Sequence, residues 1–139
     1  MNPRHWLVKT EPTTYAFEDL ARDRRTTWDG VTNALALIHL RAMSPGDDVL
    51  VYHSGAQKAV VGLARVAAGP RPDPKAGDAK LVVVDLEAVA PAKTPVPLAV
   101  VKAEPACTDL ALLRMSRLSV MPVDERAWAF LVERAGLHR

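Results

Sequence analysis

Asp48-Val49-Leu50-Val51-Tyr52-His53, and after a Ser54-Gly55 turn Lys58-Ala59-Val60-Val61-Gly62-Leu63-Ala64-Arg65-Val66-Ala67, decide the fold class. Valine and leucine dominate both runs with few polar interruptions. A third run, Lys80 to Val89, has the same character. Such β-branched runs read as strands, and their near-continuous apolar content predicts strands buried on both faces or lining a closed barrel. Between the second and third runs, Gly69 to Asp78 carries Pro70, Pro72, Pro74 and Gly77, which predicts an irregular excursion and not a tight hairpin.

Upstream of these runs, His5 to Lys9 reads as a short first strand, ended by Glu11-Pro12. Phe17 to Asp23 predicts about two turns of helix. Val31 to Met43 predicts a longer helix, with Val31, Leu35, Ile38 and Ala42 on its apolar face and Ser44-Pro45-Gly46-Asp47 as its stop. Downstream, Pro95 to Lys102 and Thr108 to Met115 read as short helical turns, the latter capped by Thr108 or Asp109. Ser119 to Val123 reads as extended. Asp124 caps a final helix to about Ala135, with Trp128, Leu131, Val132 and Ala135 on one face and Gly136 as its stop. This mixed order, with long non-local pairings, predicts a single α+β domain over residues 1–139: a small β-barrel flanked by helices.

Composition bounds the function. Eighteen basic and sixteen acidic residues leave a formal charge of +2, so the placement of the cations matters more than their number. A hydrophobic fraction of 49% excludes an intrinsically disordered chain. Cys107 is the only cysteine, so no intramolecular disulfide forms, and an inert buried thiol is the expected state. The first residues lack the apolar core of a signal peptide, and Arg65 and Asp85 interrupt the longest apolar stretches. The expected setting is the cytoplasm, or the nucleus in a eukaryote, without membrane insertion. No phosphate loop, dinucleotide fingerprint, glycine-elbow serine or metal-ligand spacing occurs, so neither a cofactor nor a metal is expected, and catalysis is not.

A binding constellation remains. Trp28-Asp29-Gly30-Val31-Thr32-Asn33 sets a tryptophan beside a turn-forming Asp-Gly, just after Arg22, Arg24 and Arg25. Tryptophan stacks on flat aromatic ligands, and asparagine offers a donor and an acceptor side by side, as the edge of a nucleobase demands. The competing reading makes Trp28 a core residue and Asn33 a helix cap. Lys9-Thr10-Glu11, Tyr52-His53-Ser54-Gly55 and Arg117-Leu118-Ser119 likewise lie at the ends of elements, where a rigid scaffold presents ligand-contacting groups. Tyr52 is as well suited to the core, Ser119 to pairing within the sheet, and Arg117 to solvent or a carboxylate.

Taken together, these clusters resemble the EVE domain family. The matching residues are Trp6-Leu7-Val8-Lys9-Thr10-Glu11-Pro12, Thr27 to Val31, Asn33, Gly46-Asp47, Tyr52-His53-Ser54, Val61-Gly62, Pro72-Asp73-Pro74, Leu112-Leu113-Arg114, Ser116 to Val120 and Pro122-Val123. The resemblance implies a PUA-like barrel related to the YTH and ASCH domains. It also implies a non-catalytic module that reads a modified base in DNA or RNA by taking the base into an aromatic-walled pocket. The residues expected to bind ligand are Trp28, Asn33, His53, Ser54, Lys9, Thr10, Gly30, Val31, Arg117, Leu118 and Ser119, with Lys9, Arg117 and the Arg22–Arg25 segment holding phosphates and the protein a monomer. Thr32 departs from the family's usual arginine, and the helix after it is more apolar than is usual. Two rival readings are a small nucleoside or nucleotide enzyme with His53 as general base, and a protein-interaction domain using Leu35, Leu37 and Ile38.

Overall fold

The computed structural model describes residues 4–137. Strands β1 (His5–Thr10), β2 (Arg25–Trp28), β3 (Asp48–His53), β4 (Ala59–Pro72), β5 (Val82–Pro97) and β6 (Val120–Pro122) form one sheet in the order β2-β5-β4-β3-β1-β6. Helices α1 (Phe17–Asp23), α2 (Ala34–Ala42), α3 (Leu98–Ala103), α4 (Ala111–Arg114) and α5 (Glu125–Ala135) pack around it, with a 3-10 turn at Pro105–Cys107. Among the described residues only β1 and β3 pair in parallel; they are joined by the long connection through α1, β2 and α2 that a parallel pair requires. Among the described residues no helix is long and apolar enough to cross a membrane.

The expected barrel does not close by strand pairing. β2 and β6, of four and three residues, are the two edges of the sheet. The pairing of β4 with β5 shifts register at four places along its length, and each irregularity bends and twists the ribbon. α2 packs against β6 at one end of the sheet and against β5 and β4 toward the other, so a helix spans the gap that strand pairing leaves open.

Both long strands outrun the expected boundaries. β4 passes Ala67 to reach Pro72, and β5 passes Val89 to reach Pro97. Prolines are tolerated at bulges and strand ends, where no ladder donor is needed, which is how Pro95 joins β5 and the following helix begins only at Leu98. The expected helix over Thr108–Met115 shrinks to Ala111–Arg114, because the Thr108 hydroxyl donates to the Pro105 carbonyl and closes the preceding 3-10 turn instead. Cys107 is buried there, and burial pushes its thiol pKa up. α5 matches expectation at both ends: Asp124 accepts from the Ala127 N–H, and Gly136 stops the helix in the left-handed conformation.

α2 also differs from its expected face. Asn33 caps it, so Val31 precedes the helix, and the buried residues are Ala36, Leu37 and Leu40. Ile38 is 56% exposed. Apolar residues lie on every side of this segment, so periodicity alone does not select the inward stripe. Of the proposed interaction surface, Leu37 is in the core and Leu35 is half-buried.

Two buried polar side chains hold the frame of the site. Asp47 accepts from the Arg4 N–H (3.0 Å), the Trp6 indole (2.9 Å) and the Ser44 N–H (2.9 Å), tying the start of β1 to the turn after α2. His53 accepts at Nε2 from the Phe17 N–H (2.9 Å), so Nδ1 carries the ring proton and donates it to Gln57 Oε1 (2.7 Å). That contact fixes the first residue of α1, whose Phe17 ring lies on Gly62 so closely that no Cβ fits there.

Candidate functional site

β1 and the connection into β6 meet the last residues of β2 around a cavity of about 470 Å³, lined by Lys9, Thr10, Glu11, Thr14, Tyr15, Thr26, Thr27, Trp28, Asp29, Gly30, Val31 and Ser119. That volume lies in the range, roughly 300–1,000 Å³, of small-molecule sites. Trp28 is 9% exposed and forms one wall while belonging to the core. Tyr15 meets it edge to face, the ring centroids 6.2 Å apart and the planes at 82°.

Tyr15 is held at three points. Its N–H donates to the Glu11 carbonyl (2.9 Å), its carbonyl accepts from the Thr10 hydroxyl (2.6 Å), and its phenol donates to Asp23 (2.8 Å). Arg22 pairs with Asp23 and, with help from the Tyr15 phenol, holds that carboxyl below the usual carboxylate range. Burial is the main cause that raises the Tyr15 pKa. The wall is therefore ordered before any ligand arrives.

The polar lining is mixed in sign. Lys9 Nζ donates to the Ser116 carbonyl (3.0 Å), and burial lowers its pKa. Its backbone N–H donates to the Ser119 carbonyl (2.9 Å), which fixes Ser119 beside the cavity. Glu11 and Asp29 add carboxylates, and Gly30, with φ of 77°, turns the chain so that Val31 closes the rim. The site therefore offers an aromatic corner, one ammonium donor, several hydroxyls and two carboxylate acceptors.

The structure thus brings Lys9, Thr10, Trp28, Gly30, Val31 and Ser119 together on one cavity. It does not bring the remaining expected ligand residues there. Asn33 is exposed beyond the rim, its Oδ1 accepting from the Ala36 N–H (3.0 Å) as the cap of α2. His53 is 2% exposed with both ring nitrogens engaged, which leaves no free nitrogen for a general base. Ser54 is half-buried, its N–H donating to the Thr10 carbonyl (2.9 Å). Leu118 is a core residue, and Arg117 is exposed outside the lining. Of the arginine cluster, Arg22 is paired with Asp19 and Asp23, and Arg25 with Asp85. Tyr15, Glu11, Thr14, Thr26, Thr27 and Asp29 are lining residues absent from the expected set. Glu11 and Asp29 belong to the clusters the sequence singles out, and a tyrosine between Pro12 and Phe17 is the further signal among them.

A family model for the EVE domain matches residues 4–134. The chain belongs to the EVE domain family. Human thymocyte nuclear protein 1 is 28% identical over 162 residues, an alignment that covers 92% of this chain and 72% of the human protein. A solved structure from Rhodopseudomonas palustris is 40% identical, with a TM-score of 0.91 over 98% of this chain and 95% of that one. A crystal structure of human thymocyte nuclear protein 1 in complex with DNA containing 5-methylcytosine is 26% identical to this EVE domain chain, with a TM-score of 0.87 over 98% of this chain and 99% of that one.

Proposed function

We propose that this EVE domain chain is a non-catalytic module that binds a modified nucleobase of a nucleic acid in the cavity between β1, β2 and Tyr15. The aromatic-backed cavity itself carries the reading. The base stacks against the Trp28–Tyr15 corner, Lys9 and the hydroxyls of Thr10, Thr26 and Ser119 meet its acceptors, and the Glu11 and Asp29 carboxylates meet an exocyclic amine. The human relative crystallised with 5-methylcytosine DNA supports a cytosine derivative in DNA as the first ligand to examine. Stacking contributes ~1–3 kcal/mol per base. Burying one added methyl contributes about 0.8 kcal/mol, roughly a fourfold preference. Discrimination of a methylated from a plain base is therefore modest unless the plain base leaves a polar group unpaired.

The test is fluorescence anisotropy with single-stranded and duplex oligonucleotides carrying cytosine, 5-methylcytosine and other modified bases, in DNA and in RNA. Preferential binding of one modified base, lost when Tyr15 is changed to Leu in a protein that still folds, is the expected result. Equal affinity for every oligonucleotide, or affinity indifferent to Tyr15, refutes the proposal.

A further inference from the structure

The hollow on the opposite face of β2 extends that reading. Successive strand residues point to opposite faces, and β2 uses both. Trp28 and Thr26 face Tyr15 and the base cavity. Arg25 and Thr27 face the other way, both bonding Asp85 of β5 (3.2 and 2.9 Å). On that side lies a second, strongly polar hollow lined by Arg25, Thr26, Thr27, Asp29, Lys75 and Asp85. It shares Thr26, Thr27 and Asp29 with the base cavity, so the two meet along β2. β2 is an edge strand, paired on one side only, by β5.

Charge distinguishes the two hollows. Asp85 also accepts from Arg71 (3.0 Å), so one carboxylate orders two guanidiniums and leaves their pair positive. Lys75 adds a third cation and makes no ion pair among the described residues, while Asp29 sits at the shared rim. The other rim is poorer in cations: the segment leading into α2 is Thr32-Asn33-Ala34, and Arg22 is held by Asp19 and Asp23. Lys9 is the ordered cation inside the base cavity, and a phosphodiester beside a bound base meets the next group of ordered positive charges by crossing the β2 edge. Resting on the base-binding reading, we propose that the Arg25–Lys75 hollow is the phosphate subsite for the strand whose base occupies the cavity.

Two probes separate this subsite from the cavity: a single-stranded DNA oligonucleotide with one central 5-methylcytosine, and the nucleoside 5-methyl-2′-deoxycytidine, which has no phosphate. Calorimetric affinities are measured from low to moderate salt for the wild-type protein, Arg25→Gln, Lys75→Gln and, on the distant helix α5, Arg126→Gln. Each of the first two variants is expected to bind the oligonucleotide several-fold more weakly and to flatten the slope of log affinity against log salt by about 0.7. Nucleoside affinity stays unchanged in both, and Arg126→Gln binds both probes like the wild type. Lys75→Gln breaks no ion pair among the described residues, so it decides the matter even where Arg25→Gln destabilises the sheet edge. A wild-type slope and affinity in Lys75→Gln overturns the subsite alone. A parallel loss of nucleoside binding overturns it too, since the residue then acts through the cavity. A wild-type protein that binds neither probe overturns the base-binding reading together with the subsite.

Discussion

Trp28→Ala probes the one side chain that is both structural and exposed to the proposed ligand. Trp28 is 9% exposed and sits in the core opposite Val84 of β5, with Tyr15 packed edge-on against it. Removing a fully packed aromatic costs ~3–5 kcal/mol. One side of this ring borders a cavity and not packed atoms, so fewer contacts are lost and the lower figure, ~3 kcal/mol, applies. At roughly 4 °C per kcal/mol for a domain of this size, the midpoint falls by ~12 °C. The substitution also removes a stacking surface worth ~1–3 kcal/mol, a loss of roughly 5- to 150-fold in affinity for the base. Thermal unfolding by circular dichroism gives the first quantity, and anisotropy with a modified oligonucleotide, well below the variant's midpoint, gives the second. Trp28→Phe keeps a ring and is expected to retain most of both. A midpoint within about 2 °C of the wild type would show that Trp28 is not part of the core. A large fall in the midpoint with undiminished affinity would place the stacking wall elsewhere.

Three further outcomes follow from single contacts. Asn33→Ala removes the α2 cap and is expected to cost ~1 kcal/mol of stability in urea unfolding, with the ranking of modified bases unchanged; altered ranking would return Asn33 to the site. His53→Ala leaves the buried Phe17 N–H without its acceptor, and a stability loss of about 1–3 kcal/mol is expected, read in the same unfolding assay. The Arg71 hydrogen bond, followed by those of Thr27 and Arg25, lowers the Asp85 pKa. A depressed carboxyl stabilises the fold above its unfolded pKa, about 3.9, and that contribution disappears as the pH falls through the folded value. Melting curves should therefore show Asp85→Asn less stable than the wild type at pH 7, with the gap narrowing as the pH falls below about 4; a gap that does not narrow on acidification contradicts the assignment.

The legible parts of the fold are those in which composition alone selects the conformation. The valine-rich runs of β3, β4 and β5 carry a strand preference in their own composition. β2 is different: Arg25-Thr26-Thr27-Trp28 buries a single residue, and its strand geometry comes from pairing with β5 some sixty residues on. The prolines of β4 and β5 read as terminators because a sequence does not reveal where a bulge relieves the ladder. The site divides in the same way. Lys9, Thr10, Trp28, Gly30, Val31 and Ser119 stand at element ends, where exposure can be anticipated. Asn33 and His53 both carry binding chemistry, yet their hydrogen bonds go to Ala36 and to Phe17 and Gln57; the helix-cap reading of Asn33 anticipates the first, while nothing beside His53 in the sequence announces a bond to Phe17, thirty-six residues away. Leu118 and Ser119 are neighbours in sequence, but one side chain enters the core and the other reaches the cavity. Tyr15 depends on a loop conformation set by Thr10, Glu11 and Asp23.

β2 also behaves as a ruler. Arg25 and Trp28 are three residues apart, which at ~3.3 Å per residue sets them about 10 Å apart along the strand and, by the odd spacing, on opposite faces. Inserting or deleting one residue between them would change that interval by ~3.3 Å and bring both groups to the same face. Both consequences are abrupt, and no side-chain adjustment compensates for the second. The length of this four-residue edge should therefore tolerate far less variation than its composition, and replacing Thr26 or Thr27 by another β-forming residue should be milder than any change in their number.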